Sequence, residues 1–84
     1  MIEGSKTELE LLNAFAGESM ARNRYTFYSK VAKEEGYEQI AEVFLDTAEN
    51  ERQHAKQFYK HIPKGIKLVD ANYPFFMGNT LENL

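Results

Sequence analysis

The sequence predicts an all-α fold, an antiparallel hairpin of two long helices that forms half of a four-helix bundle. Three observations carry this. Apolar residues recur at helical spacing over residues 7–35 and again over 37–61, only Gly36 separates the two stretches, and a long connector leads to a third helix start near residue 80. Ser5-x-x-Glu8 and Thr7-x-x-Glu10 are overlapping capping patterns, either of which starts the first helix just ahead of Leu9. That helix runs to Glu35 and stops at Gly36, since glycine best tolerates the left-handed conformation that follows a helix. Around Glu18 its near face holds Leu11, Ala14, Phe15, Arg22, Tyr25, Ser29 and Ala32, while the far face holds Leu9, Leu12, Ala16, Met20, Phe27 and Val31. A helix apolar on two sides should touch more than one neighbour.

At about 100° per residue, the second helix clusters Tyr37, Ile40, Phe44, Thr47, Ala48, His54, Ala55 and Phe58 within roughly 60° of Glu51. Glu38, Glu42, Glu49, Gln53, Lys56 and Lys60 take the opposite, solvated face. With almost no linker at Gly36, the two helices must fold back on each other. Pro63 and Gly65 end the second helix, and residues 62–79 read as an extended crossover with apolar points at Ile66, Leu68, Val69, Tyr73, Phe75 and Phe76. Residues 80–84 then open a third helix behind a capping residue, with Glu82 three positions after Asn79. The expectation is therefore the first half of a longer protein, or a shortened form, whose bundle is completed by dimerisation or by a second chain.

Eighty-four residues suit one small domain, whose core is hard to complete without metal or oligomerisation. There is no cysteine, which excludes disulfides, thiolate-bound metals and a thiol nucleophile. A net charge of −3 with Lys and Arg interspersed among Glu argues against a nucleic-acid partner. Met1 to Thr7 contain no apolar run that would serve as a signal peptide or membrane span, so a cytoplasmic protein without a membrane partner is expected.

The chemistry concentrates in Thr47 to Ala55, where Glu51 and His54 lie on an otherwise apolar face. An uncompensated carboxylate there would cost several kcal/mol, and a metal ion is the leading compensation. Glu18 precedes Gly36 by 18 residues, whereas Glu51 and His54 follow it by 15 and 18, so all three share one level in the hairpin. In ferritin-like bundles two helices each supply a Glu and two others each supply Glu-x-x-His, of which these residues make half. Carboxylates with one imidazole favour iron or manganese over copper, and two such half-sites give four Glu and two His around two metals, suited to oxygen or peroxide chemistry. Glu-x-x-His alone is weak, because 11 of the 84 residues are Glu. The bland readings are an i,i+3 pair for Glu51 with His54 and an i,i+4 salt bridge for Glu18 with Arg22. Tyr25, one heptad beyond Glu18, either bonds a liganding carboxylate or serves as an ordinary core aromatic. Gly17 suits a close backbone approach beside the site, His61 a helix-dipole cation, and Met20 packing.

At Ala14-Phe15-Ala16-Gly17-Glu18-Ser19, Ala21 to Tyr25, Glu35 to Ile40 and Thr47 to Lys56 the sequence resembles the first two helices of the rubrerythrins. Residues 71–84 are similar to that family's crossover into its third helix, so the resemblance covers nearly the whole chain. It implies that Glu18, Glu51 and His54 ligate a non-haem diiron centre, with Glu51 bridging, Tyr25 bonding near a ligand, and manganese or zinc able to substitute. It further implies a peroxidase that reduces hydrogen peroxide to water with electrons from an external, rubredoxin-like donor. Two departures stand out: the family's second half is absent, and so is its Cys-rich rubredoxin-like module. The missing ligands would come from a second copy or from a chain carrying the second half. A ferritin-like ferroxidase or iron-storage protein, and a metal-free helical dimerisation module, remain the alternatives.

Overall fold

In the computed structural model, which describes residues 4–70 and 72–84, two long helices lie side by side as a hairpin: α1 (Lys6–Glu34) and α2 (Glu38–Lys60). Met1 to Glu3 of the N-terminal stretch and Ala71 of the crossover lie outside the described residues. Of the two capping patterns the chain uses the first, with the Glu8 amide donating to Ser5 Oγ at 3.1 Å. At the other end Gly36 adopts a φ of +89°. Its amide donates to the Lys33 carbonyl at 3.1 Å while Tyr37 reaches back to Ala32 at 2.8 Å. This pair of bonds is the Schellman arrangement, which satisfies the last carbonyls of α1 and turns the chain directly into α2.

The helices meet along positions repeating by threes and fours. On α2 the track runs Ala41, Phe44, Ala48, Glu51, Ala55 and Phe58; on α1 it runs Leu11, Phe15, Glu18, Tyr25, Ser29 and Ala32, with Arg22 of the same series exposed at its edge. Ala32, Ala41, Phe44, Ala48 and Ala55 are buried. Alanine at every seventh position of α2 lets α1 approach closely along its length. Near the turn, Tyr28, Ala32, Ala41 and Phe44 form the densest cluster, with Tyr25 and Ile40 against it. Buried Ser29 donates its hydroxyl to the Ala41 carbonyl at 2.7 Å, a polar stitch across the seam.

The crossover accounts for the second apolar side of α1. Lys67 pairs with Glu8 at 3.1 Å, the Tyr73 hydroxyl donates to the Asn13 carbonyl, the Tyr28 hydroxyl donates to the Phe76 carbonyl, and the Thr80 amide donates to Glu35 Oε1 at 2.8 Å. The chain therefore returns along α1 from its start to its end. Twenty-seven helical residues rise about 40 Å, and thirteen extended residues reach about 43 Å, so the crossover has little slack. It covers α1 only in part, since Leu9 and Phe27 remain 56 % and 63 % exposed. A strap one strand wide cannot screen a helix face. At the strap's end Asn79 caps α3 (Thr80–Asn83) in a reciprocal capping box with Glu82.

Ser29→Ala, which removes the stitch, is expected to cost about 1 kcal/mol and lower the melting temperature by about 5 °C in thermal denaturation. The two hydrogen bonds from Thr80 hold the Glu35 carboxyl below its ordinary value of 4.5. A depressed carboxylate pKa stabilises the folded form above the unfolded value, and that contribution is lost as pH falls through the folded one. Hydrogen exchange at the Thr80 amide should accordingly gain protection loss below pH 4.5 that Glu35→Gln, already weakly held at neutral pH, does not show.

Candidate metal centre

Halfway along the seam the threes-and-fours pattern places Glu18 on α1 opposite Glu51 on α2, with His54 one turn further on. One ligand atom from each of the three falls within 4.8 Å of the others. His54 Nδ1 lies 3.5 Å from Glu18 Oε2 and 3.9 Å from Glu51 Oε2. The side chains of Glu18 and Glu51 are 29 % and 21 % exposed, whereas that of His54 is 59 % exposed. His54 thus stands at the rim rather than inside a core, because a helix in a two-helix hairpin has a neighbour on one side only.

The geometry leaves a debt at one atom. Glu18 Oε2 is buried and accepts no hydrogen bond. The contact from His54 is an ion pair only when the imidazole is protonated, and a second carboxylate lies close by. Leaving such an acceptor unsatisfied costs on the order of 1–3 kcal/mol. A divalent cation fits this arrangement. Three donors spaced evenly round one ion at about 2.0–2.2 Å lie about 3.5–3.8 Å apart, so the 3.5 and 3.9 Å separations from His54 are already close to that range and the widest, up to 4.8 Å, closes by about 1 Å. Two carboxylate oxygens and an imidazole nitrogen suit iron, manganese or zinc.

Of the two competing local pairings, the i,i+3 pair of Glu51 with His54 is present at 3.9 Å, whereas no Glu18–Arg22 salt bridge forms among the described residues. Arg22 turns away from Glu18 and donates to Asn23 Oδ1 at 3.1 Å. Glu49, in the middle of the Thr47 to Ala55 stretch, holds Arg52 through two hydrogen bonds of 2.9 and 2.7 Å. With Gln53 as a further donor, this pulls its carboxyl down to about 2. Tyr25 joins the aromatic cluster, its ring 6.2 Å from that of Phe44 and under the Arg24 guanidinium at 4.6 Å; it gives no hydrogen bond to Glu18 Oε2. His61 caps α2, and Met20 lines a hollow beside the crossover with Gly17 and Tyr73.

The neighbour at Gly17 is a ring and not a backbone. A Cβ there would meet Tyr73 ring atoms at 3.3 Å, and the Tyr73 hydroxyl holds the Asn13 carbonyl one turn earlier. The crossover therefore clamps the helical turn that carries Glu18. Gly17 was the readable signal for a close approach, but the path of the crossover decides what approaches.

Comparison with known proteins returns one family. The Rubrerythrin family matches residues 10–73. The chain is 57 % identical to rubrerythrin of Porphyromonas gingivalis over 84 residues, which cover 99 % of this chain and 42 % of that protein. It is 53 % identical to rubrerythrin-1 of Clostridium acetobutylicum over 88 residues, 99 % of this chain and 45 % of the relative. A putative rubrerythrin of Methanocaldococcus jannaschii is 51 % identical over 94 residues, 100 % of this chain and 46 % of its own length. The chain thus spans less than half the length of these relatives.

Metal-free protein should be relieved by neutralising the orphaned acceptor. Glu18→Gln in the presence of chelator is expected to raise the melting temperature by a few degrees, measured by circular dichroism.

Proposed function

The chain belongs to the rubrerythrin family, and on that premise we propose that Glu18, Glu51 and His54 are its share of the ligands of a non-haem diiron peroxidase centre. Membership makes it part of a non-haem iron protein of the ferritin-like superfamily, in keeping with its all-helical hairpin. Among the described residues no helix is long and apolar enough to cross a membrane. The observation that carries the reading is the buried, unpartnered Glu18 Oε2 facing a second carboxylate and an imidazole.

Three donors supply one side of a two-metal centre. Four carboxylates and two imidazoles require a second helical pair set against this one, from a second copy or from a chain bearing the other half. What iron supplies when bound is two electrons for hydrogen peroxide, which with two protons leaves as two molecules of water. Glu18 and Glu51 would offset the charge of bound metal, and the seam around buried Ala48 and Ala55 sets the two helices that carry these carboxylates side by side. His54 would supply the imidazole of this half, and its exposure in the hairpin alone leaves it accessible to the second helical pair. The electrons come from an external donor of the rubredoxin type.

Iron-loaded assembled protein is expected to bind about two irons per completed bundle. It should consume peroxide faster than oxygen, whereas a ferroxidase would favour oxygen and accumulate ferric ion. Glu51→Ala should abolish iron retention in metal analysis while circular dichroism remains helical. Well-folded, iron-reconstituted protein that holds no iron sinks the proposal.

A further inference from the structure

The same helical turns carry a second feature on another face. Ser19, Arg52 and Ala55 each follow one of the candidate ligands, and so lie about 100° round the same helices from Glu18, Glu51 and His54. They help to line a groove of about 350 Å³ between α1 and α2, whose apolar lining includes half-buried Phe15 and exposed Tyr59, with ring centroids 5.5 Å apart. Arg22, Arg52 and Lys56 stand around it. In a chain of net charge −3 this is a local reversal of sign. Glu49 engages Arg52 and feels the charge of Arg22, which neutralises one cation of the three. Neither Arg22 nor Lys56 has a carboxylate within 4.0 Å among the described residues.

We propose that this groove is the docking surface for an acidic protein that carries single electrons to the Glu18, Glu51 and His54 centre. The inference rests on the iron reading above. A helix with its side chains is about 10–12 Å across, so a carrier seated in the groove stands about one helix width from the ligands. The ligand-bearing backbones themselves form the path between. Cations at the rim of a groove steer an oppositely charged partner and set its register. Exposed cations round an apolar lining match a broad acidic protein face. A small anion would call for donors converging inside an enclosed pocket.

The test uses iron-loaded protein with rubredoxin, a small acidic iron–sulfur protein, as the probe. Arg22→Glu with Lys56→Glu, both at exposed positions, is expected to weaken rubredoxin binding by about tenfold or more in surface plasmon resonance and to flatten its salt dependence. Peroxide consumption driven by reduced methyl viologen should be unchanged in the same variant. Unchanged rubredoxin affinity would overturn the docking proposal. So would displacement of rubredoxin by millimolar inorganic phosphate, which would mark a small-anion site. Loss of self-association in place of donor binding would assign the groove to a second copy and overturn it equally. Failure of the wild-type protein to consume peroxide with methyl viologen would instead strike the iron reading, while the binding measurement still judges the groove.

Discussion

Two carboxylates occupy seam positions that a helical hairpin ordinarily reserves for apolar side chains. Glu18 and Glu51 continue tracks made mostly of apolar and small side chains, and the basic group they face among the described residues, the His54 imidazole, is shared between them at 3.5 and 3.9 Å. Small residues at Ala41, Ala48 and Ala55 bring the helices close, which drives the carboxylates together as well. Packing that favours the hairpin thus disfavours its charge distribution, and a bound cation would reconcile the two. On this account fold and metal are coupled: the seam sets the spacing of the donors, and the ion offsets the repulsion that the spacing creates.

The crossover serves that arrangement from outside. Ordering an extended segment costs about 1–2 kcal/mol per residue in backbone entropy, so a strap of this length needs repeated anchorage. It has this at Glu8, Asn13, Tyr28 and Glu35, in steps along α1. One anchor lies on the turn before Glu18, where Gly17 makes room for the Tyr73 ring. The strap leads α3 to the turn end of the hairpin, leaving the apolar sides of Phe27, Phe75 and Met77 for further packing.

Much of this was legible in the sequence because it depends on local rules. Ser5 and Asn79 announce caps through the residue three positions on, and Gly36 announces a reversal because few other residues accept its φ of +89°. The common level of Glu18, Glu51 and His54 follows from counting residues on either side of that reversal. What periodicity could not supply was anything set by residues distant in the chain. Tyr28 lies between the two stripes assigned to α1, yet Phe44 and the crossover bury it. A helical wheel leaves Tyr25 open between a partner for a liganding carboxylate and an ordinary core aromatic, and only the packing shows its ring against the aromatic cluster. The position of His54 at the rim is likewise invisible to a helical wheel, which assigns a face but not the extent of what covers it. The positive groove was missed because Arg22, Arg52 and Lys56 are scattered in sequence and meet only across the hairpin.

The central claim, that Glu18, Glu51 and His54 ligate iron, is tested most directly by anomalous diffraction at the iron edge from crystals of the iron-loaded assembly. The account predicts an iron peak at about 2.0–2.2 Å from carboxylate oxygens of Glu18 and Glu51 and from a ring nitrogen of His54, with a second iron close beside it. Iron-loaded crystals whose anomalous peaks all lie away from these three side chains would contradict it.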